Sequence, residues 1–147
     1  MVIRFKRLRP GAIIPKRGTP ESAGLDLSAC LEGPLILKAG ETALVPTGLA
    51  AELPQGTAGM VYARSGLAAK LGIALANGVG VVDSDYRGEL AVPLRNHGSD
   101  DFILNPGDRI AQLVVTPVLF PNIEEAETLD ETLRGGGGFG STGTAKI

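Results

Sequence analysis

An all-β domain, an antiparallel sandwich or barrel with one short helix, is what this sequence predicts, and three features predict it. Glycine (21) and proline (10) interrupt the 147 residues so often that long helices have no room. Between these breaks apolar and polar residues alternate, the period-two pattern of half-buried strands. The core must be aliphatic: 44% of residues are hydrophobic, yet there are only four Phe, two Tyr and no Trp. A chain of this length makes one domain with enough apolar surface to bury a core.

The elements follow in order. Ile3 and Phe5 face away from Arg4 and Lys6, and Leu25, Leu27 and Ala29 face away from Asp26 and Ser28. A short helix is expected after Ser65-Gly66, where Leu67 and Leu71 are four apart and Ala68, Ala69 and Lys70 favour helix. Asn77 to Glu89 runs from an apolar stretch into a dense polar turn, then into the alternating strand Leu90, Val92, Leu94, the layout of a long hairpin. Ile110–Val118 is apolar on both faces, as for a strand in mid-sheet or at a subunit interface. Asn122 to Arg134 holds five acids and one base, and a glycine-rich run follows that has little to bury. The expected organisation is a β domain over 1–133 and a flexible C-terminal arm over 134–147.

Composition removes several function classes. Fourteen basic against sixteen acidic residues, a net charge of −2, argue against general binding of nucleic acid. The single cysteine, Cys30, excludes an intramolecular disulfide, and the single histidine, His97, excludes zinc sites built from several Cys and His. The basic first twenty residues contain too short an apolar run for a secretory signal, and Pro10, Pro15 and Pro20 break a transit helix. Ile110–Ile123, the longest uncharged stretch, is too short to span a bilayer and carries two prolines. A cytoplasmic protein without membrane attachment is expected.

Four segments carry chemistry. Arg64-Ser65-Gly66 sets a guanidinium, a hydroxyl and a permissive backbone where the helix begins, either an anion site or a Ser N-cap beside a solvated Arg. Val81-Val82 leads to Asp83, a carboxylate at the end of an apolar strand that could orient or deprotonate water; an Asp- and Gly-rich turn is the plain alternative. Gln112 is polar within an apolar run, so it serves either as a structural amide or as a phosphate or ribose contact, while Asp108 and Arg109 could pair with other segments. The run Arg134 to Gly143 is either a loose tail or a lid, with backbone N–H groups for phosphate, Arg134 for charge and Phe139 for stacking. It is no Walker loop, because Ser141 stands where Lys is needed. No Gly-x-Ser-x-Gly occurs, and His97 in its polar turn suggests no catalytic role.

Taken together, Ala23-Gly24-Leu25-Asp26-Leu27-Ser28-Ala29, Arg64–Ala68, Asn77–Glu89, Gly107–Leu113 and Arg134–Gly143 resemble, in order and spacing, the five motifs of the trimeric dUTPase family. Ala63 stands where the family often has Pro, and Val81-Val82 where Thr-Ile is usual; these are mainly backbone and packing positions, so activity is expected to survive. The resemblance implies a jelly-roll-like, distorted β-barrel and a homotrimer whose three active sites are each assembled from three chains. It implies hydrolysis of dUTP to dUMP and pyrophosphate by water attack on the α-phosphorus with Mg²⁺, limiting uracil in DNA and supplying dUMP for dTMP synthesis. On this likeness Arg64, Ser65 and Gly66 hold phosphates and Gln112 lies near the α-phosphate. Asn77 and the backbone around Val81, Val82 and Ala91 read uracil. Tyr86 packs under the deoxyribose, Asp83 holds the attacking water, and Asp26 positions hydrated Mg²⁺. Arg134 and Phe139 arrive on the arm, at the γ-phosphate and the base. The related dCTP deaminase fits less well, given the Asp83-Ser84-Asp85-Tyr86 turn and the full Arg134–Gly143 segment.

Overall fold

The computed structural model describes residues 1–138. Ten strands and one helix follow in order: β1 (Arg4–Arg7), β2 (Leu25–Ser28), β3 (Leu35–Leu37), β4 (Thr42–Glu52), β5 (Thr57–Ala63), α1 (Ser65–Leu71), β6 (Ile73–Leu75), β7 (Gly80–Val82), β8 (Glu89–Asn96), β9 (Phe102–Leu104) and β10 (Arg109–Pro117). They form two four-stranded sheets, β1-β4-β8-β6 and β2-β10-β5-β7, and a ribbon β3-β9, with antiparallel pairing throughout. This is the all-β, antiparallel class the alternation predicts, in the jelly-roll-like form the resemblance implies. No helix among the described residues is long and apolar enough to cross a membrane.

One aliphatic core joins the layers. Leu27, Val61 and Leu113 come from one sheet, Val45, Val92 and Leu94 from the other, and Leu37 and Leu104 from the ribbon. On β8 the side chains of Leu90, Val92, Leu94 and Asn96 are buried while their neighbours are exposed or half-buried, so its period of two is a true inside–outside division. β10 lies between β2 and β5, which explains why Ile110, Ala111 and Leu113 are buried within a single chain. Asn96 is fully buried and fully bonded: its amide donates to the Leu37 and Asp100 carbonyls (2.9 and 2.8 Å) and accepts from the Gly98 N–H (2.9 Å). That network accounts structurally for the polar turn around His97.

The expected hairpin across Asn77–Glu89 is not one. β7 pairs with β5 at the edge of one sheet, while β8 lies between β4 and β6 in the other. Alternation reports which side chains turn inward and is silent about the neighbouring strand. Val82 on β7 and Leu90 and Val92 on β8 pack into the same core, so the turn between them crosses from sheet to sheet. Beyond β10 there is no further helix or strand among the described residues, and Leu119 through Gly136 are exposed.

Candidate active site

Sheet crossing creates the first half of the site. Between the β5–β7 edge and β6–β8 lies a cavity of about 240 Å³ lined by Asn77, Val81, Val82, Asp83, Tyr86 and Ala91, among others. All six are residues singled out from the sequence. Asp83 follows directly on β7, and it also borders a wider cleft of about 910 Å³ that includes Ser84, Asp85, Arg87 and Phe120. Its main-chain carbonyl accepts the Tyr86 N–H (3.2 Å), which closes the turn. Its carboxylate has no hydrogen-bond donor among the described residues and stands at the cavity rim, available to a water. Tyr86 lies back along the turn, with its hydroxyl donating to the Glu89 carbonyl (3.1 Å). Gly88 makes this possible: a Cβ there would come within 2.3 Å of the Tyr86 oxygen.

A second cluster gathers where β2, β5 and β10 run side by side. Gln112 is in register with Asp26 on one side and Tyr62 on the other, so these side chains share one face. Arg64 follows the end of β5, and its Nε donates to Asp26 Oδ1 (2.9 Å), while Arg109 Nη1 donates to Asp26 Oδ2 (3.0 Å). Gln112 donates to the Ala63 carbonyl (3.0 Å), the structural amide bond, and thereby braces the residue before Arg64. Ala63, in register with Ala111, completes β5 without a proline.

The helix start differs from a Ser N-cap. Arg64 is the capping residue, with extended φ/ψ of −85° and 129°, and no side chain caps the helix. The first helical bond runs from the Ala68 N–H to the Arg64 carbonyl (3.0 Å). The N–H groups of Ser65, Gly66 and Leu67 therefore have no acceptor among the described residues, and Ser65 and Gly66 are exposed. Four N–H and guanidinium donors grouped in this way suit an anion.

These two clusters do not meet within one chain. By register, Asp83 falls opposite Ala58, six residues from Arg64 along β5, a separation of about 20 Å. Arg134 is exposed and, among the described residues, donates only within its own turn, to the Gly137 carbonyl (2.9 Å). Phe139 lies outside the described residues. The sequence suggests that Glu89 is a solvated turn acid, but its carboxylate is largely buried and accepts the Gly48 N–H (2.7 Å). For Arg109 it suggests no more than an unspecified ion pair, although the Gly107–Leu113 motif could have flagged Arg109 as a neighbour of Gln112.

The dUTPase family model matches residues 11–143. This chain belongs to the dUTPase family. The deoxyuridine 5′-triphosphate nucleotidohydrolase of Syntrophotalea carbinolica is 49% identical over 143 residues, covering 97% of both chains. That of Desulfitobacterium hafniense (strain DCB-2) is 54% identical over 144 residues, 97% of this chain and 95% of the relative. Among solved structures, the Staphylococcus bacteriophage 80α dUTPase with dUPNHPP superposes with a TM-score of 0.84 at 25% identity, covering 97% of this chain and 99% of that one.

Proposed function

We propose that dUTP lies with its uracil and deoxyribose in the cavity between the sheets and its phosphates on the Arg64 cluster of another copy of the chain. The reaction is the dUTPase one, hydrolysis of dUTP to dUMP and pyrophosphate. The observation that carries the mechanism is the position of Asp83, a carboxylate unpaired among the described residues, on the rim of that cavity. It accepts a proton from water as the water oxygen bonds to the α-phosphorus. The bond from the α-phosphorus to the bridging oxygen breaks on the opposite side, and pyrophosphate leaves with the electron pair.

Other groups position and discriminate. Asn77 and the backbone at Val81, Val82 and Ala91 offer donors and acceptors to the edge of uracil. A base with the wrong exocyclic group leaves such partners unpaired, a mismatch worth on the order of 10⁴-fold. Tyr86 floors the deoxyribose and leaves no room for a 2′-hydroxyl. Arg64, Ser65, the Gly66 N–H and Gln112 receive the phosphates. Arg134 and Phe139, on the arm, close over the γ-phosphate and the base, excluding bulk water until product leaves.

Mg²⁺ use is typical of the family, and the donors here suit that ion. Asp26 supplies carboxylate oxygens beside the phosphate cluster, and no group of three or more His, Cys, Asp and Glu occurs among the described residues. A hard cation that keeps its waters and takes phosphate oxygens needs little more from the protein, so Asp26 would hold it through water. When bound, it neutralises phosphate charge and polarises the bond to be broken.

A homotrimer with shared sites is supported by two features. About 20 Å of β5 separates Asp83 from Arg64, too far for both to address one α-phosphate. Leu119, Phe120 and Ile123 are 92%, 74% and 96% exposed, apolar side chains that a neighbouring copy would cover. The setting is the cytoplasmic nucleotide pool.

Pyrophosphate release from dUTP, dCTP, dTTP and UTP with Mg²⁺, alongside ammonia release from dCTP, tests the assignment; only dUTP should turn over efficiently. Asp83→Asn should bind dUTP normally and lose about 10²–10⁴-fold in kcat. Near-normal turnover by that variant would remove Asp83 from its role.

A further inference from the structure

The geometry points to Glu89 as a positioning residue whose carboxylate, fastened to a bulge in β4, fixes Tyr86 and thereby sets the discrimination between deoxyribose and ribose. This rests on the reading of Tyr86 as the floor of the sugar site.

The β4–β8 pairing shifts register between Pro46 and Ala50, where Thr47, Gly48 and Leu49 stand against the single residue Leu90. Gly48 has φ +69°, and a Cβ on it would lie 2.8 Å from both Ala12 Cβ and Cys30 Sγ, so the bulge is packed tightly against its surroundings. Two bonds cross from this bulge to the start of β8, and the bulge donates both. Glu89 Oε1 accepts the Gly48 N–H (2.7 Å), and the buried Thr47 hydroxyl donates to the Leu90 carbonyl (2.6 Å). Glu89 Oε2 accepts from Arg9 (2.5 Å). The side chain of Glu89 is only 23% exposed, against 48% for Arg9, so the inner bond to Gly48 carries the orientation and the outer ion pair adds little.

The same residue meets Tyr86 through its other end. Its carbonyl is the acceptor of the Tyr86 hydroxyl, and it lines the cavity beside that ring. Tyr86 is 46% exposed, and its hydroxyl has no other hydrogen-bond partner among the described residues. The Glu89 peptide is thus the only polar anchor described for the ring, and the bulge holds that peptide. Releasing the carboxylate lets the Glu89 carbonyl turn, and the phenol turns with it. The space above the ring then admits a 2′-hydroxyl.

Wild type, Glu89→Ala, Glu89→Gln and Tyr86→Ala are compared in kcat/KM for dUTP and UTP, with melting temperature recorded for each. Loss of the bond should cut the dUTP:UTP ratio about tenfold in Glu89→Ala, mainly through faster UTP turnover. Glu89→Gln keeps an acceptor oxygen for Gly48 and should stay near the wild-type ratio. General structural damage slows both substrates alike and leaves the ratio unmoved. A folded Glu89→Ala with the wild-type ratio, beside a Tyr86→Ala whose ratio falls, overturns the role of Glu89 and spares that of Tyr86. An unchanged ratio in Tyr86→Ala removes the reading of Tyr86 and this inference with it. Should Glu89→Ala fail to fold, Glu89→Asp, whose carboxylate is one methylene short of Gly48, is judged by the same ratio: a fall supports the inference and an unchanged value overturns it.

Discussion

Asp26 receives one arginine on each carboxylate oxygen, Arg64 through Nε and Arg109 through Nη1. A guanidinium held at its Nε edge keeps its terminal nitrogens pointing elsewhere, so Asp26 aims Arg64 at an anion instead of consuming it. The side chains of Asp26 and Arg64 are only 28% and 27% exposed, yet an asparagine of the same size can still accept from one of the arginines. Asp26→Asn should therefore move the melting temperature by no more than a few degrees. Its kcat/KM for dUTP should fall about 10–100-fold, the worth of one or two lost charge-assisted hydrogen bonds. Affinity for deoxyuridine, which has no phosphate, should stay unchanged, and steady-state kinetics with calorimetry would check both. An unaltered kcat/KM would mean that Arg64 keeps its direction without the carboxylate. The sequence made Asp26 legible as an acid of the site. That it also fastens Arg64, thirty-eight positions away, was not legible, because the two meet only through the pairing of β2, β10 and β5.

At the level of elements, α1 has seven residues, none of them buried, and no side-chain cap, too little for an isolated helix to form. Its C-terminal end holds it in place. Gly72 takes φ +67°, its N–H donates to the Ala68 carbonyl (3.2 Å), and its carbonyl accepts from His97 (2.8 Å). A Cβ on Gly72 would stand 2.8 Å from the Gly98 nitrogen, where backbone cannot yield easily. Gly72→Ala should cost roughly 1–3 kcal/mol, lowering the melting temperature by several degrees in a thermal scan. If Ser65 and Gly66 hold phosphate as proposed, loosening of the helix should also weaken that binding before it affects the cavity between the sheets. The helix was readable from Leu67, Leu71 and the Ala-Ala-Lys between them, because its signal is local. The hairpin was misread for the opposite reason: whether Val82 and Leu90 lie on adjacent strands depends on β5 and β4, which no local pattern reports.

For the molecule as a whole, the fold class was legible because alternation and punctuation act all along the chain, whereas the completeness of the site depends on geometry between strands. A trimer that shares its sites makes a prediction that one chain acting alone does not. On the proposed roles, Asp83→Asn lacks the base and Arg64→Ala lacks the phosphate clamp, so each variant by itself should be nearly inactive. If every site takes Asp83 from one copy and Arg64 from another, mixed trimers contain sites in which both residues are intact. Random assembly of an equal mixture should restore such a pair in roughly a quarter of the sites, by the chance that each of two chains is of the required kind. Unfolding and refolding the two variants together, then measuring pyrophosphate release from dUTP, gives the recovered fraction. If both residues served the same site from one chain, no assortment of subunits could bring an intact pair together, and the mixture would stay as inactive as its parts.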